Sequence, residues 1–254
     1  MHVFKIADKF YSNKNEVLQL IENFNSSGKL FGDGKRNSIK IFEKNGDVLN
    51  IKCFKIPNLI NKIAYKYFRK SKARRSFEFA NILLENNIGT PQPIAYFENY
   101  DFLGLNDSYY VSEHLQSDLT FRELVENPDY PDYNNILIQF IHFSYEMHQK
   151  GIEFLDHSPG NTLIKNVSEG NYDFYLVDLN RMNFHQTMSF ELRMKNLSRL
   201  TPRKQMVAIM SEEYSKLYQK PEAEVFEKMW YYTNEFQEKY HRKKRFKKKF
   251  LFWK

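Results

Sequence analysis

Apolar positions along the chain follow two different rhythms. In roughly the first 115 residues, short stretches alternate apolar and polar side chains, as half-buried strands do. SIKIFE (38–43) and VLNIKCF (48–54) alternate on either side of Asn45-Gly46, a type I′ turn signal, and predict a β-hairpin. PIAYFENY (93–100) and SYYVSEHL (108–115) read as further strands. Two helical stretches interrupt them. Val17, Leu18, Leu20, Ile21 and Phe24 recur at helical spacing within 14–24, and 58–87 reads as helix with a break near 69–72, closed by Gly89, Pro91 and Pro93. Beyond a seam at 115–119 the helical period dominates. Ile136, Leu137, Phe140, Ile141 and Met147 predict a helix over 134–149, three short strands follow (IEFL, NTLIK, YDFYLVD), and 189–240 is helical in composition. A β-rich half therefore precedes a mainly helical half.

Composition sets bounds on this picture. The 254 residues carry 42% hydrophobic and 17% aromatic side chains, enough for one large domain or two intimate lobes. A single cysteine excludes a disulfide framework and a cysteine-rich zinc site. No apolar run reaches the roughly 18 residues of a membrane span, and MHVFKIADKF has no signal-peptide core, so the expectation is a soluble cytoplasmic protein.

Charge is distributed unevenly. The net charge is +7, yet 17 of the 38 Lys and Arg residues lie in two acid-free islands, nine in 52–75 and eight in 241–254. The remaining 21 bases face all 31 acids. Basic islands on an acidic body suit an anionic surface (membrane, nucleic acid or phosphorylated substrate), the alternative being solvated helix faces. No groove-fitting motif accompanies them, so nucleic acid is not the expected partner. In the tail, Phe246, Phe250, Phe252 and Trp253 interleave with the bases, a pattern suited to a bilayer surface.

The chemistry concentrates in 152–180. Asp156 and Asn161 stand five positions apart after a strand, separated by the turn-forming Pro159-Gly160, and Asp178 ends the strand of a following hairpin. Phosphoryl transfer needs such a set: one carboxylate to orient the attacking hydroxyl and accept its proton, and an amide and a second carboxylate to hold Mg²⁺ on nucleotide phosphates. Asp156 fits the first role, Asn161 and Asp178 the second. Plain Asp- and Asn-containing turns are the alternative.

The segment resembles the protein-kinase-like phosphotransferases. Together with LNIKCFK (49–55), SKARRSFEFANILLENNIGTPQPIAYFE (71–98) and VDLNRMNFHQTMSFELRMKNLSRL (177–200), it looks like the lipopolysaccharide kinase family, which contains the 3-deoxy-octulosonate (Kdo) kinases and the core heptose kinases. The resemblance covers about residues 30–200. It implies an α+β, two-lobe protein-kinase-like fold, with an N-lobe at 1–115 and a C-lobe at 116–254 ending in the basic tail. It further implies an ATP- and Mg²⁺-dependent kinase acting on a lipid-linked core sugar, Kdo of a lipid A precursor above all. By the same resemblance Lys52 grips the α/β phosphates and pairs with Glu78, with Lys55 and Glu85 as rivals. Gly32 and Gly34 belong to a loop over the phosphates, and Glu113 to Leu115 form the adenine hinge.

Departures from the pattern also carry information. Phe154 stands where kinases often have His two positions before the catalytic Asp, Asn180 replaces the glycine of Asp-Phe-Gly, and no Ala-Pro-Glu segment follows. The last argues against a regulated protein kinase. His157 is either structural or a contact to acceptor or phosphate. A soluble small-molecule or protein kinase of the same fold is the first rival, and a non-catalytic pseudokinase-like module the second. The expected location is the cytoplasmic face of the inner membrane, with the tail on anionic lipid.

Overall fold

The structure, a computed structural model, describes residues 1–32, 37–44 and 46–251, with side chains to 248. Gly34 and Asn45 lie outside the described residues, as do Phe252 and Trp253 and the side chain of Phe250. The chain forms two compact units, residues 1–116 with 178–181, and residues 117–177 with 182–254.

In the first unit β1 (His2–Ile6), α1 (Lys14–Glu22), β2 (Lys29–Phe31), β3 (Ser38–Lys44), β4 (Asp47–Phe54), α2 (Leu59–Tyr67), α3 (Lys72–Glu85), β5 (Pro93–Tyr100) and β6 (Leu105–Glu113) follow in order. The six strands make one antiparallel sheet in the order β1-β5-β6-β4-β3-β2. The expected hairpin is β3–β4, whose last pair is Lys44–Asp47, with Gly46 at φ 89°. Sheet alternation buries Ile51 and Val111, which join Ile6, Phe42, Ile94 and Phe97 in one core under α1. On the other face Phe54, Phe77 and Tyr96 pack with Ala73 of α3. The break between α2 and α3 falls where the sequence places it, because the buried Ser71 caps α3 by accepting a hydrogen bond from the Arg74 N–H.

The second unit contains β7 (Leu119–Thr120), α4 (Phe121–Glu126), α5 (Tyr133–Gln149), β8 (Ile152–Phe154), β9 (Thr162–Ser168), β10 (Asn171–Leu176), β11 (Met182–Phe184), α6 (Phe190–Leu197), α7 (Lys204–Tyr218) and α8 (Glu222–Leu251). Its small sheets are β10-β9-β7 and β11-β8. Phe121, Phe140, Leu137, Met194, Met210 and Tyr214 are fully buried in its core. Val225 and Met229 seat the first half of α8 on that core, whereas every described side chain from 238 to 248 is exposed. The described part of the basic tail is thus the solvent-facing continuation of a helix.

Candidate active site

The first unit supplies a lysine and a carboxylate. β4 pairs with β6 on one side and β3 on the other, which puts Lys52 opposite Tyr110 and Ile39 and on the face opposite to buried Ile51. Its Nζ donates to Asp178 Oδ1 at 2.7 Å and lies 5.3 Å from the Phe54 ring centroid. The Lys52 side chain is 12% exposed, so its ammonium is largely shielded from bulk water and its partner matters more than a surface pair would. Asp178 adopts a left-handed backbone, φ 61°, a conformation Asp tolerates better than most residues. Asn180 braces it: the Asn180 amide donates to Asp178 Oδ1 at 2.7 Å. The residue standing in place of a glycine is therefore a second donor to the same oxygen, and both bonds direct Oδ2 elsewhere.

Glu78 is not the partner of Lys52. On α3 it accepts from Lys70 Nζ at 2.8 Å and from Arg74 Nε at 2.9 Å. Burial alone would raise its carboxyl, but the two cationic donors outweigh that and hold it below the usual carboxylate range. The physical reason is proximity: Arg74 is one helical turn away, and Lys70 lies in the link just before the helix. The expected Lys52–Glu78 pair is corrected to Lys52–Asp178.

The remaining first-unit positions are a glycine and the strand end. Gly32 has φ 81°, and a Cβ there would meet nothing within 4 Å, so backbone conformation rather than crowding calls for glycine. The Phe31 ring packs edge-on against His114 at 5.7 Å, which sets the start of this loop beside the end of β6. There, the Glu113 N–H is taken by the Gln92 carbonyl and the His114 N–H by that of Val48. Both of these main-chain donors are thus engaged within the sheet edge and its neighbours.

The second unit holds Asp156 and Asn161. After β8 the chain turns through Asp156, and Pro159–Asn161 form one turn of 3₁₀ helix. This returns Asn161 so that its Nδ2 donates to the Asp156 carbonyl at 2.8 Å, an oxygen that also accepts the Ser158 N–H at 2.7 Å. With the Asn161 amide nitrogen so used, its Oδ1 is the atom left for a cation. The Asn161 carbonyl in turn accepts from the Val177 N–H, tying the loop to the strand that leads into Asp178. A Cβ at Gly160 would lie 2.6 Å from Arg122 Nη2, so glycine here lets a guanidinium approach the turn.

Sequence reasoning missed Arg199. Its Nη1 donates to Asp156 Oδ1 at 2.9 Å and to the Leu155 carbonyl at 2.5 Å, and its guanidinium lies 5.4 Å from the Phe236 ring centroid. It stands in the Leu-Ser-Arg-Leu end of a segment already singled out, but 43 residues from its partner. Phe154 and His157 prove to be core. His157 is fully buried 5.7 Å from both the Phe140 and Phe154 rings, which rules out the acceptor contact. Its burial pushes the imidazole down to about 4, so it is neutral near pH 7. His148, also buried and pushed down to about 3, bonds Tyr214 and Asn196, and Asn196 donates to the Phe154 carbonyl beneath the loop.

No protein-family model matches the sequence, and no curated protein matches it. Among solved structures it is similar to WaaP in complex with acyl carrier protein, with a TM-score of 0.64 and 16% identity, over 94% of this chain and 98% of that one. The likeness runs through nearly the whole of both chains, and the fold is protein-kinase-like, with a β-rich N-lobe and a mainly helical C-lobe.

Proposed function

We propose that the chain is an ATP-dependent phosphotransferase that phosphorylates a sugar hydroxyl of the lipopolysaccharide inner core, with Kdo on a lipid A precursor as acceptor. The Asp156 carboxylate orients the hydroxyl and takes its proton as the oxygen bonds to the γ-phosphorus and ADP leaves. Arg199 holds that carboxylate in place. Lys52 grips the phosphates, Gly32 begins the loop over them, and the strand end from Glu113 to Leu115 receives adenine. Asn161 Oδ1 and Asp178 are hard oxygen donors and would hold Mg²⁺, which supplies charge neutralisation on the nucleotide. Glu78, engaged by Lys70 and Arg74, takes no part in gripping phosphate in this arrangement. The basic tail meets anionic lipid on the cytoplasmic face of the inner membrane, where the acceptor resides.

The observation that carries this reading is the Lys52–Asp178 ion pair, formed across 126 residues of sequence in a kinase-like fold. A lysine on β4 of a hairpin-built sheet and the aspartate after the D-x4-N loop meet as two phosphate-handling groups would. The test is incubation with Mg-ATP and a panel of lipid A precursors with and without Kdo, followed by mass spectrometry. An added phosphate only where Kdo is present is the expected result. Phosphate only on heptose-bearing acceptors moves the reading to a core heptose kinase. ATP binding without transfer to any acceptor favours a non-catalytic module.

A further inference from the structure

We propose that α2 is a bilayer-docking helix that seats an outward-facing apolar stripe in anionic lipid. At 100° per residue Leu59, Ile60, Ile63 and Tyr67 fall within an arc of about 100°, the width of stripe that normally faces a core. Here the stripe faces outward: α2 has no buried residue, and Ile60 is 79% exposed. The opposite face is the one turned inward. Asn61 and Tyr65 line, with Phe54 and Leu105, a cavity of about 340 Å³. A helix that keeps its polar side toward its own sheet has its apolar side free for another apolar phase.

The patch is continuous and fixed. Phe68 (82% exposed) extends it at the helix end, and Phe102 (86%) with Leu103 extends it from the β5–β6 turn. That turn is tied to α2 by Lys62 Nζ to Asp101 Oδ2 at 2.8 Å and by Lys66 Nζ to the Phe102 carbonyl at 3.1 Å. Gly104, at φ 142°, packs so closely that a Cβ would sit 2.4 Å from the Lys62 carbonyl oxygen. Seven large apolar side chains are thereby presented on a braced surface, the kind of exposed apolar patch that marks an interaction site.

Charge selects the occupant. Lys66, Arg69 and Lys70 border the stripe and are exposed, and 52–75 contains no acid. The nearby acids are engaged, Asp101 by Lys62 and Glu78 by Lys70 and Arg74. A second copy of this surface would bring like charge against like, whereas anionic headgroups meet the bases while Tyr67, Phe68 and Phe102 settle at the interface. The surface stands independently of the phosphotransferase reading and of the tail.

The experiment compares full-length protein, the Ile60→Ser/Phe68→Ser double variant and a chain lacking 241–254, each sedimented with phosphatidylcholine vesicles containing or lacking phosphatidylglycerol. The wild-type and tail-less chains bind the anionic vesicles, and the double variant loses on the order of tenfold or more in partition coefficient at unchanged melting temperature. An Ile60→Trp variant reads insertion directly: its emission shifts to the blue on anionic vesicles and is quenched by lipids brominated in the acyl chain. Absence of wild-type binding, equal binding by the double variant, or an unshifted Ile60→Trp spectrum in vesicle-bound protein overturns the proposal. So does a wild-type dimer that the double variant lacks, without vesicle binding by either.

Discussion

Asp156 takes its meaning from what holds it. Asp156→Asn keeps the shape and removes the proton acceptor, so turnover should fall by about 10²–10⁴-fold with ATP affinity little changed, as measured by initial rates and by calorimetry. Arg199→Ala should lower kcat by roughly 10- to 100-fold through misplacement of the carboxylate, leaving the KM for ATP in place, and Arg199→Lys should restore part of it by supplying an ammonium in place of the single Nη1 donor. Asp156, Asn161 and Asp178 were legible as candidates from their types and spacing, and Lys52 from the resemblance. Arg199 was not, since its value arises only when α6 returns the chain to the loop. The Glu78 pairing was misread although Arg74 stands one turn away on the same helix, and that local competitor was visible in the sequence. His148 and His157 set an acid limit. They stay neutral in the fold down to about 3 and about 4, while unfolded histidine takes its proton near 6.5. The unfolded state therefore gains protons first as pH falls. Stability is full above about pH 6.5 and declines toward pH 4, by up to about 1.4 kcal/mol per pH unit for each histidine. His157→Phe should flatten that decline in melting curves, since it replaces a buried imidazole that must stay unprotonated with an apolar ring.

Among the elements, those that declare themselves locally were read most readily, and β1 and α4 were missed. The β3–β4 hairpin and α5 carry a turn signal or a strong helical period. β1 carries neither: its five residues are mostly exposed, and it is a strand because it pairs with β5 more than ninety residues away. α4 spans only six residues, yet the capping box of Thr120 and Glu123 was a usable sign of its start. The tail was expected to meet a bilayer surface, and its described part is the exposed end of α8. Removing 241–254 should leave the melting temperature within about a degree, because its described side chains, to 248, are already exposed, and should weaken vesicle binding at low salt by removing eight bases. A large drop in melting temperature on truncation would show that the tail packs against the protein.

Across the whole molecule, nucleotide binding should be readable as stability. A ligand that binds only the folded chain adds about 2.7 kcal/mol at a hundred times its Kd, which for a chain of this size raises Tm by about 5–10 °C. Mg-ATP should produce that rise in wild type, and Lys52→Ala and Asp178→Ala should abolish most of it. An equal rise in both variants, measured by scanning fluorimetry, would remove these residues from the nucleotide site. The division of the chain adds a constraint of a different kind. Residues 178–181 belong to the first unit although the sequence on both sides of them belongs to the second. A ribosome delivers residues in order, at roughly 5–20 per second. The first sheet is therefore complete in sequence long before Asp178 emerges, and Lys52 waits roughly six to twenty-five seconds of synthesis for its carboxylate, 126 residues on. During that interval the nascent first unit exposes an uncompensated ammonium and lacks the residue that closes it. A stalled chain ending near residue 116 should accordingly be more open to protease around β4 than one released past residue 181.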